Sequence, residues 1–284
     1  LIEHGAFPSD RYAALSQLRL HGLDPEEHLI EIAPREGEHT LRTEDIEARI
    51  AEEGDRLACV MLCGVQYYTG QWMPMERITR AAHKAGALCG FDLAHAVGNV
   101  PLNLHGWGVD FACWCTYKYL NSGPGAVAGA YVHERHVQDG SIPRFEGWWG
   151  HNAERRFLME PEFESMGTAE AWQMSNAPVF NMAIHAESLA QFSAIGMGAL
   201  RAKSLRLTAY LEQGIQAVAQ CNEAQLEIIT PADPNRRGCQ LSLVAHGFGK
   251  ELFQTLTNAG VVADWREPNV IRMAPVPLYN TFED

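Results

Sequence analysis

The sequence predicts an α/β fold with a largely parallel sheet, followed by a small C-terminal α+β domain. Three observations predict it. Short continuous apolar runs are bounded by glycine and proline, as in strands buried on both faces. Helical stretches lie between consecutive runs. Beyond about residue 180 a long helical region is followed by short strand-like segments around one helix.

Leu41 to Gly54 reads as a helix with acids early and a glycine stop. Leu57 to Leu62 is the first buried strand. Pro74 opens the next helix and Gly86 closes it. Ala87 to Phe91 is a strand with Asp92 at its C-terminal end, and Val109 to Cys115 is another. Gly123-Pro124-Gly125 marks a turn, and Ala126 to Val132 is one more strand. From Gly140 to Pro178 glycine, proline and aromatic residues dominate without a clear period, which predicts loops. Met182 to Gln220 reads as one long helical region. Leu226 to Thr230, Gln240 to Ala245, Val261-Val262 and Val270 to Met273 read as strands, with a helix near Lys250 to Asn258. The expected division is 1–180 for the large domain and 181–284 for the small one.

Composition narrows the function classes. The chain has 284 residues, 46% of them hydrophobic, enough for a sizeable core. A net charge of -13 argues against nucleic acid or an anionic membrane as partner. No apolar run is long enough to span a bilayer. The first residues carry no basic n-region or apolar h-region of a signal peptide, which points to a cytoplasmic protein. Seven cysteines do not form a disulfide framework. Without CxxC or HExxH spacing, no metal site is expected. The chain opens on Leu1-Ile2-Glu3 as if in mid-domain, so a piece of a longer protein is expected.

The segment richest in chemistry is FDLAHAVGNVPLNLHGWGVDFACWCTYKYLNSGPG, residues 91–125. It sets an acid at one strand end and a lysine in the loop beyond the next strand. In sheets of this kind ligands gather at the carboxyl ends of strands. Asp92 alone reads as a turn former, and Lys118 alone as a solvated lysine. Together they are the pair that pyridoxal phosphate (PLP) chemistry needs. The amine bonds the cofactor aldehyde, and the carboxylate keeps the pyridine nitrogen protonated.

The run FDLAHAVGNV followed by WGVDFACWCTYKYLN resembles the kynureninase family. Four further segments agree in order: GAFPSDRYA at 5–13, GVQYYTGQ at 64–71, GWWGH at 147–151 and NVIRMAPVPLYN at 269–280. The resemblance covers essentially the whole chain, but the family's N-terminal portion and the residues after VPLYN have no counterpart. It implies a PLP-dependent transferase fold (fold type I), with a seven-stranded type of sheet in the large domain. It also implies PLP-dependent cleavage of the Cβ–Cγ bond of L-kynurenine or 3-hydroxy-L-kynurenine, in tryptophan catabolism or NAD biosynthesis.

The resemblance assigns roles by position. Lys118 holds the cofactor and moves the α-proton. Asp92 pairs with the ring nitrogen, and His95 stands beside it. Phe7 packs on the pyridine face, with Pro8, Ser9 and Asp10 as the adjoining wall. Tyr68 and Tyr117 donate to the phosphate, and Tyr68 is the candidate acid or base at the γ-carbon. Cys63 lines the cofactor, or is simply a small buried hydrophobe. Trp148 and Asn176 reach the site from the partner of a homodimer with shared active sites. Ser175 and Asn176 touch substrate, and Arg272 grips its α-carboxylate in a two-pronged hydrogen bond. Two alternatives remain open. One is another enzyme of the same fold, such as a cysteine desulfurase or class V aminotransferase. The other is an inactive truncated homologue acting only by dimerisation.

Overall fold

The computed structural model describes residues 1–137 and 141–284. Gly140, the first residue of the expected loop stretch, lies outside the described residues. The chain begins with β1 (Ile2–Glu3), α1 (Pro8–Leu20), α2 (Pro25–His28) and β2 (Glu31–Ile32). It continues through α3 (Thr43–Glu53), β3 (Cys59–Cys63), α4 (Met75–Lys84), β4 (Leu88–Asp92), β5 (Phe111–Cys115), β6 (Ala128–Val132) and α5 (Glu134–Val137). After residues 141–178, which hold only short 3-10 turns, come α6 (Val179–Ile195), α7 (Met197–Cys221), β7 (Leu226–Ile228) and β8 (Leu241–Ala245). The last elements are α8 (Gly249–Asn258), β9 (Asp264–Arg266) and β10 (Val270–Met273).

The first sheet has the order β3-β4-β5-β6. Its β3, β4 and β5 run parallel, and β6 returns antiparallel. A separate parallel pair, β1-β2, lies against the free edge of β3, where the Met61 N–H donates to Leu1 O at 2.9 Å. Among the described residues the large domain therefore has a four-stranded sheet with a two-stranded pair beside it, where the family resemblance suggested a seven-stranded type of sheet. Helices α3 and α4 cover the sheet because their apolar positions recur at helical spacing. Ile46, Ile50, Ile78 and Ala82 pack with Val60, Leu62 and Phe91 of the strands. The second sheet, β7-β8-β10-β9, is antiparallel throughout.

One expectation is refined and one corrected. The long helical region expected over Met182 to Gln220 is helical throughout, as two helices, α6 and α7, broken at Gly196. That residue's φ of 80° is open to glycine and strained for other residues. The strand expected at Val261-Val262 lies further on, at Asp264–Arg266, and Val262 is fully exposed. An apolar pair suggested burial, but the β10 partner in register is Asp264 to Arg266. Helix α1 and strands β1 and β2 went unread because they are short or lack an apolar stripe.

Buried Asp110, just before β5, explains several histidines. His83 and His136 reach its two oxygens at 2.7 Å each, and Arg135 lies at 3.3 Å. Burial pushes its carboxyl up, but His136, the Cys89 N–H and His83 together hold it below the usual range. Asp110 thus fastens α4 and α5 to the sheet.

Candidate active site

The carboxyl ends of β3, β4 and β5 converge on one place, and α1 adds its first turn. Cys63 and Asp92 are paired neighbours at the ends of β3 and β4, and Asp92 also pairs with Cys113 of β5. Asp92 closes the turn after β4 by accepting the Ala94 N–H at 2.8 Å, so it is a turn former as well as a site residue. Lys118 follows β5 in a loop closed by Asn121 N–H to Lys118 O at 2.9 Å and Ser122 N–H to Thr116 O at 3.1 Å.

The Lys118 Nζ stands over the Phe7 ring at 5.5 Å and near the Tyr117 ring at 5.9 Å. Among the described residues it forms no ion pair. Phe7 precedes α1, where Pro8 occupies the first turn, as its fixed φ and missing N–H allow. Asp10 in that turn lies close enough to Asp92 for the two carboxyls to interact. A helix N-terminus favours an anion, but the opposing effects win. Burial, then the charge of Asp92, push the Asp10 carboxyl up to about 7, with Lys118 only partly offsetting them. Below this pair lies Glu3, also raised by burial, whose carboxylate accepts the Cys63 N–H at 3.4 Å. Burial pushes the Cys63 thiol well up, so it is a protonated, inert filler.

His95 lies edge-on to Tyr119, centroids 5.7 Å apart. Burial, with Lys118, Arg272 and Arg266, pulls its imidazole down to about 3 and keeps it neutral. Among the described residues its buried Nδ1 has no hydrogen-bond partner. A neutral ring nitrogen lacking a partner, a lysine amine over an aromatic face and a facing carboxyl pair fit a planar, polar-edged cofactor bonded through an aldehyde. Arg272, nearly buried on β10, donates to Tyr67 O at 2.6 Å and meets Asp264 at 3.0 Å.

The structure therefore brings Phe7, Asp10, Cys63, Asp92, His95, Tyr117 and Lys118 together, with Arg272 within electrostatic reach of His95. Pro8 and Ser9 lie in the same turn, exposed. Tyr68 sits differently. Its ring packs on the Ile229–Val244–Val270 cluster, and the tyrosine that meets Phe7 is Tyr67, edge-on at 5.4 Å. Burial raises both phenols, so both stay protonated.

Trp148, Ser175 and Asn176 lie in the 141–178 stretch. Among the described residues they meet none of Lys118, Asp92 or Arg272 by hydrogen bond or ring contact. Trp148 stacks edge-on with Phe157 at 5.7 Å. The two segments are nevertheless held together, because Gly147 lies so close to Met174 that a Cβ would be 2.3 Å from its carbonyl oxygen.

Residue-by-residue reading missed Tyr67, Glu3 and Asp264. For Asp264 a signal existed. An acid eight positions before an arginine on the next strand of a tight hairpin faces it, and the register does pair Arg272 with Asp264. Glu3 carried no such signal, because its burial depends on strands far apart in sequence.

The fold is that of PLP-dependent enzymes of fold type I. The cystine C–S lyase C-DES, in a mutant with glycine covalently linked to the PLP cofactor, matches 99% of this chain and 71% of its own with a TM-score of 0.80. At 16% identity that likeness concerns the fold alone. Sequence is more specific. The kynureninase of Xanthomonas campestris pv. campestris strain B100 is 57% identical over 288 aligned residues, and that of Christiangramia forsetii 53% over 284. Each match covers 100% of this chain and 67% of the relative's length. A model of the kynureninase C-terminal domain matches residues 200–284. The chain belongs to the kynureninase family.

Proposed function

We propose that this chain carries the catalytic core of an enzyme that hydrolyses L-kynurenine or 3-hydroxy-L-kynurenine to the matching anthranilate and L-alanine, using PLP. The observation that carries the reading is the convergence of Lys118, Asp92 and Phe7 at the strand ends, beside a buried neutral His95 with an unpaired Nδ1. Bound there, PLP supplies an electron sink for charge developed at the substrate α-carbon.

The chain's own residues do the rest. Lys118 Nζ takes the α-proton and returns it. Asp92 holds a proton at the pyridine nitrogen, and Asp10 shares the carboxyl pair. Phe7 covers one ring face and excludes water from it. His95 stays neutral and offers Nδ1 to a polar edge. Tyr117, exposed beside Lys118, and Tyr68 serve the phosphate. Arg272, pre-oriented by Asp264 and Tyr67 O, holds the substrate carboxylate. A protonated tyrosine, Tyr68, serves the γ-carbon as acid and then base; Tyr67, beside Phe7, is the second candidate for that step.

The working unit is a cytoplasmic homodimer, with Trp148 and Asn176 serving the partner's site and Ser175 and Asn176 touching substrate. The large domain spans 1–180 and the small one 181–284. Helix α6 supports dimerisation, because its apolar residues face outward. Phe180 is 86% exposed and Ile184 57%. A helix apolar around most of its surface is normally buried.

The test is anthranilate fluorescence from purified protein given PLP and L-kynurenine, with borohydride reduction to mark the bonded lysine. The expected result is release that Lys118→Ala abolishes, with the label on Lys118. A label on another lysine would overturn the assignment.

A further inference from the structure

The loop that carries Lys118 is held from outside by one face of α6. Asn181, His185, Ser188 and Phe192 recur at spacings of four, three and four, so they form one stripe along the helix. Every member meets the lysine loop. Asn181 Nδ2 donates to Gly125 O at 2.6 Å. His185 Nδ1 and Ser122 Oγ share a hydrogen bond at 2.8 Å. Ser188 Oγ donates to Leu120 O, and Phe192 packs on the Leu120 side chain. Ser122 and Ser188 are buried, and the rest of α6 is largely apolar and exposed. The helix thus shows its own chain the polar face, the reverse of an ordinary surface helix.

Packing alone does not call for this arrangement. Three polar contacts fall on three separate points of one short loop, at Leu120, Ser122 and Gly125. The loop itself has unusual backbone, with Asn121 at a φ of 57° and Gly123 and Gly125 in the left-handed region. A loop of that kind needs outside contacts to hold a single path. Upstream in the chain it joins β5, which ends at Cys115.

From this geometry we infer that Asn181, His185 and Ser188 are positioning residues for Lys118: they clamp the 120–125 loop so that Nζ stays over the Phe7 ring. The inference rests on the reading of Lys118 as the cofactor lysine. His185 is the central member, because its partner Ser122 Oγ is the one side chain of the loop in the polar clamp. The neighbours cooperate, since Ser122 N–H also closes the loop onto Thr116 O at 3.1 Å.

Hydrogen–deuterium exchange on the cofactor-free chain reads the clamp directly. Asn181→Ala, His185→Ala and Ser188→Ala should each speed exchange across 116–127 by about fivefold, the effect of one lost hydrogen bond, leaving β3, β4 and the melting temperature unchanged. His185→Asn keeps a polar atom at the reach of Nδ1 and should restore the parent's exchange. With PLP and borohydride, the three alanine variants should label Lys118 about fivefold more slowly, and His185→Asn at the parent's rate. Unchanged exchange across 116–127, or faster exchange spread through the whole chain, overturns the clamp. Faster exchange with unchanged labelling overturns the positioning role. If the unmodified chain fails to label Lys118, the cofactor reading falls and takes the positioning role with it; the exchange result then still decides whether the loop is clamped.

Discussion

Asp10 and Arg272 are the residues whose environments make the sharpest predictions. Unfolded, Asp10 releases its proton near 3.8; folded, it keeps it to about 7. Between those values the folded chain binds more protons, so Asp10 contributes stability at low pH that is lost as pH rises through about 7. His95 works in the opposite sense. Its imidazole is held down to about 3, so its contribution is present above 6.5 and lost as pH falls toward about 3. Asp10→Asn should therefore remove a fall in urea midpoint between pH 4 and 7, seen as the difference between variant and parent titrations. If the two titrations run parallel, the carboxyl pair is not strained. Arg272→Lys keeps the charge but cannot span Asp264 and Tyr67 O with a planar fork. In steady-state assays it should raise KM for the amino-acid substrate by roughly ten- to a hundredfold, with a smaller change in kcat.

At the scale of elements, close approaches hold the site strands in place. Gly90 of β4 pairs with Phe111 of β5, and a Cβ at Gly90 would lie 2.2 Å from the Phe111 ring. Gly90→Ala should cost about 1–3 kcal/mol of unfolding free energy, because a ring between strands cannot move aside without disturbing the sheet. Gly98 combines two demands. Its φ is 79°, and a Cβ there would lie 2.8 Å from Tyr119 O. This contact sets the turn after β4 directly against the residue following Lys118. Gly98→Ala should destabilise the chain by about 2 kcal/mol and displace the lysine loop, seen as faster exchange there. The break between α6 and α7 belongs to this scale too. The apolar pattern runs on through Gly196, so periodicity joined what backbone geometry divides.

For the whole molecule, the arrangement of surfaces matters more than the core. The apolar outer face of α6 lies outside the chain's own packing, and Trp148 and Phe157 are exposed on the 141–178 stretch. Phe180→Asp with Ile184→Asp should convert the proposed homodimer to monomer in sedimentation velocity, since two charges would enter a desolvated contact. A parent chain that already sediments as a monomer would remove the shared-site part of the proposed function. The clamp on the lysine loop uses a different stripe of α6 from Phe180 and Ile184, so the same helix joins the proposed interface to the proposed catalytic lysine.

By itself the sequence determined the α/β class, the strands from Leu57 to Cys115, the mixed helix-and-strand character of the C-terminal elements, the family, and the positions of Asp92 and Lys118 at and just beyond strand ends. These are local or word-like signals: buried strands are continuous apolar runs, and the site residues stand in unbroken motifs at strand ends. Only the tertiary structure decided that Tyr67 rather than Tyr68 adjoins Phe7, that Glu3 lies beneath Cys63, and that Asp264 fastens Arg272. It alone decided that α6 turns a polar stripe onto the lysine loop. Each of these depends on strand register or on helix rotation about its axis, which bring together residues far apart in sequence. No local propensity encodes which face of an apolar helix meets its own chain.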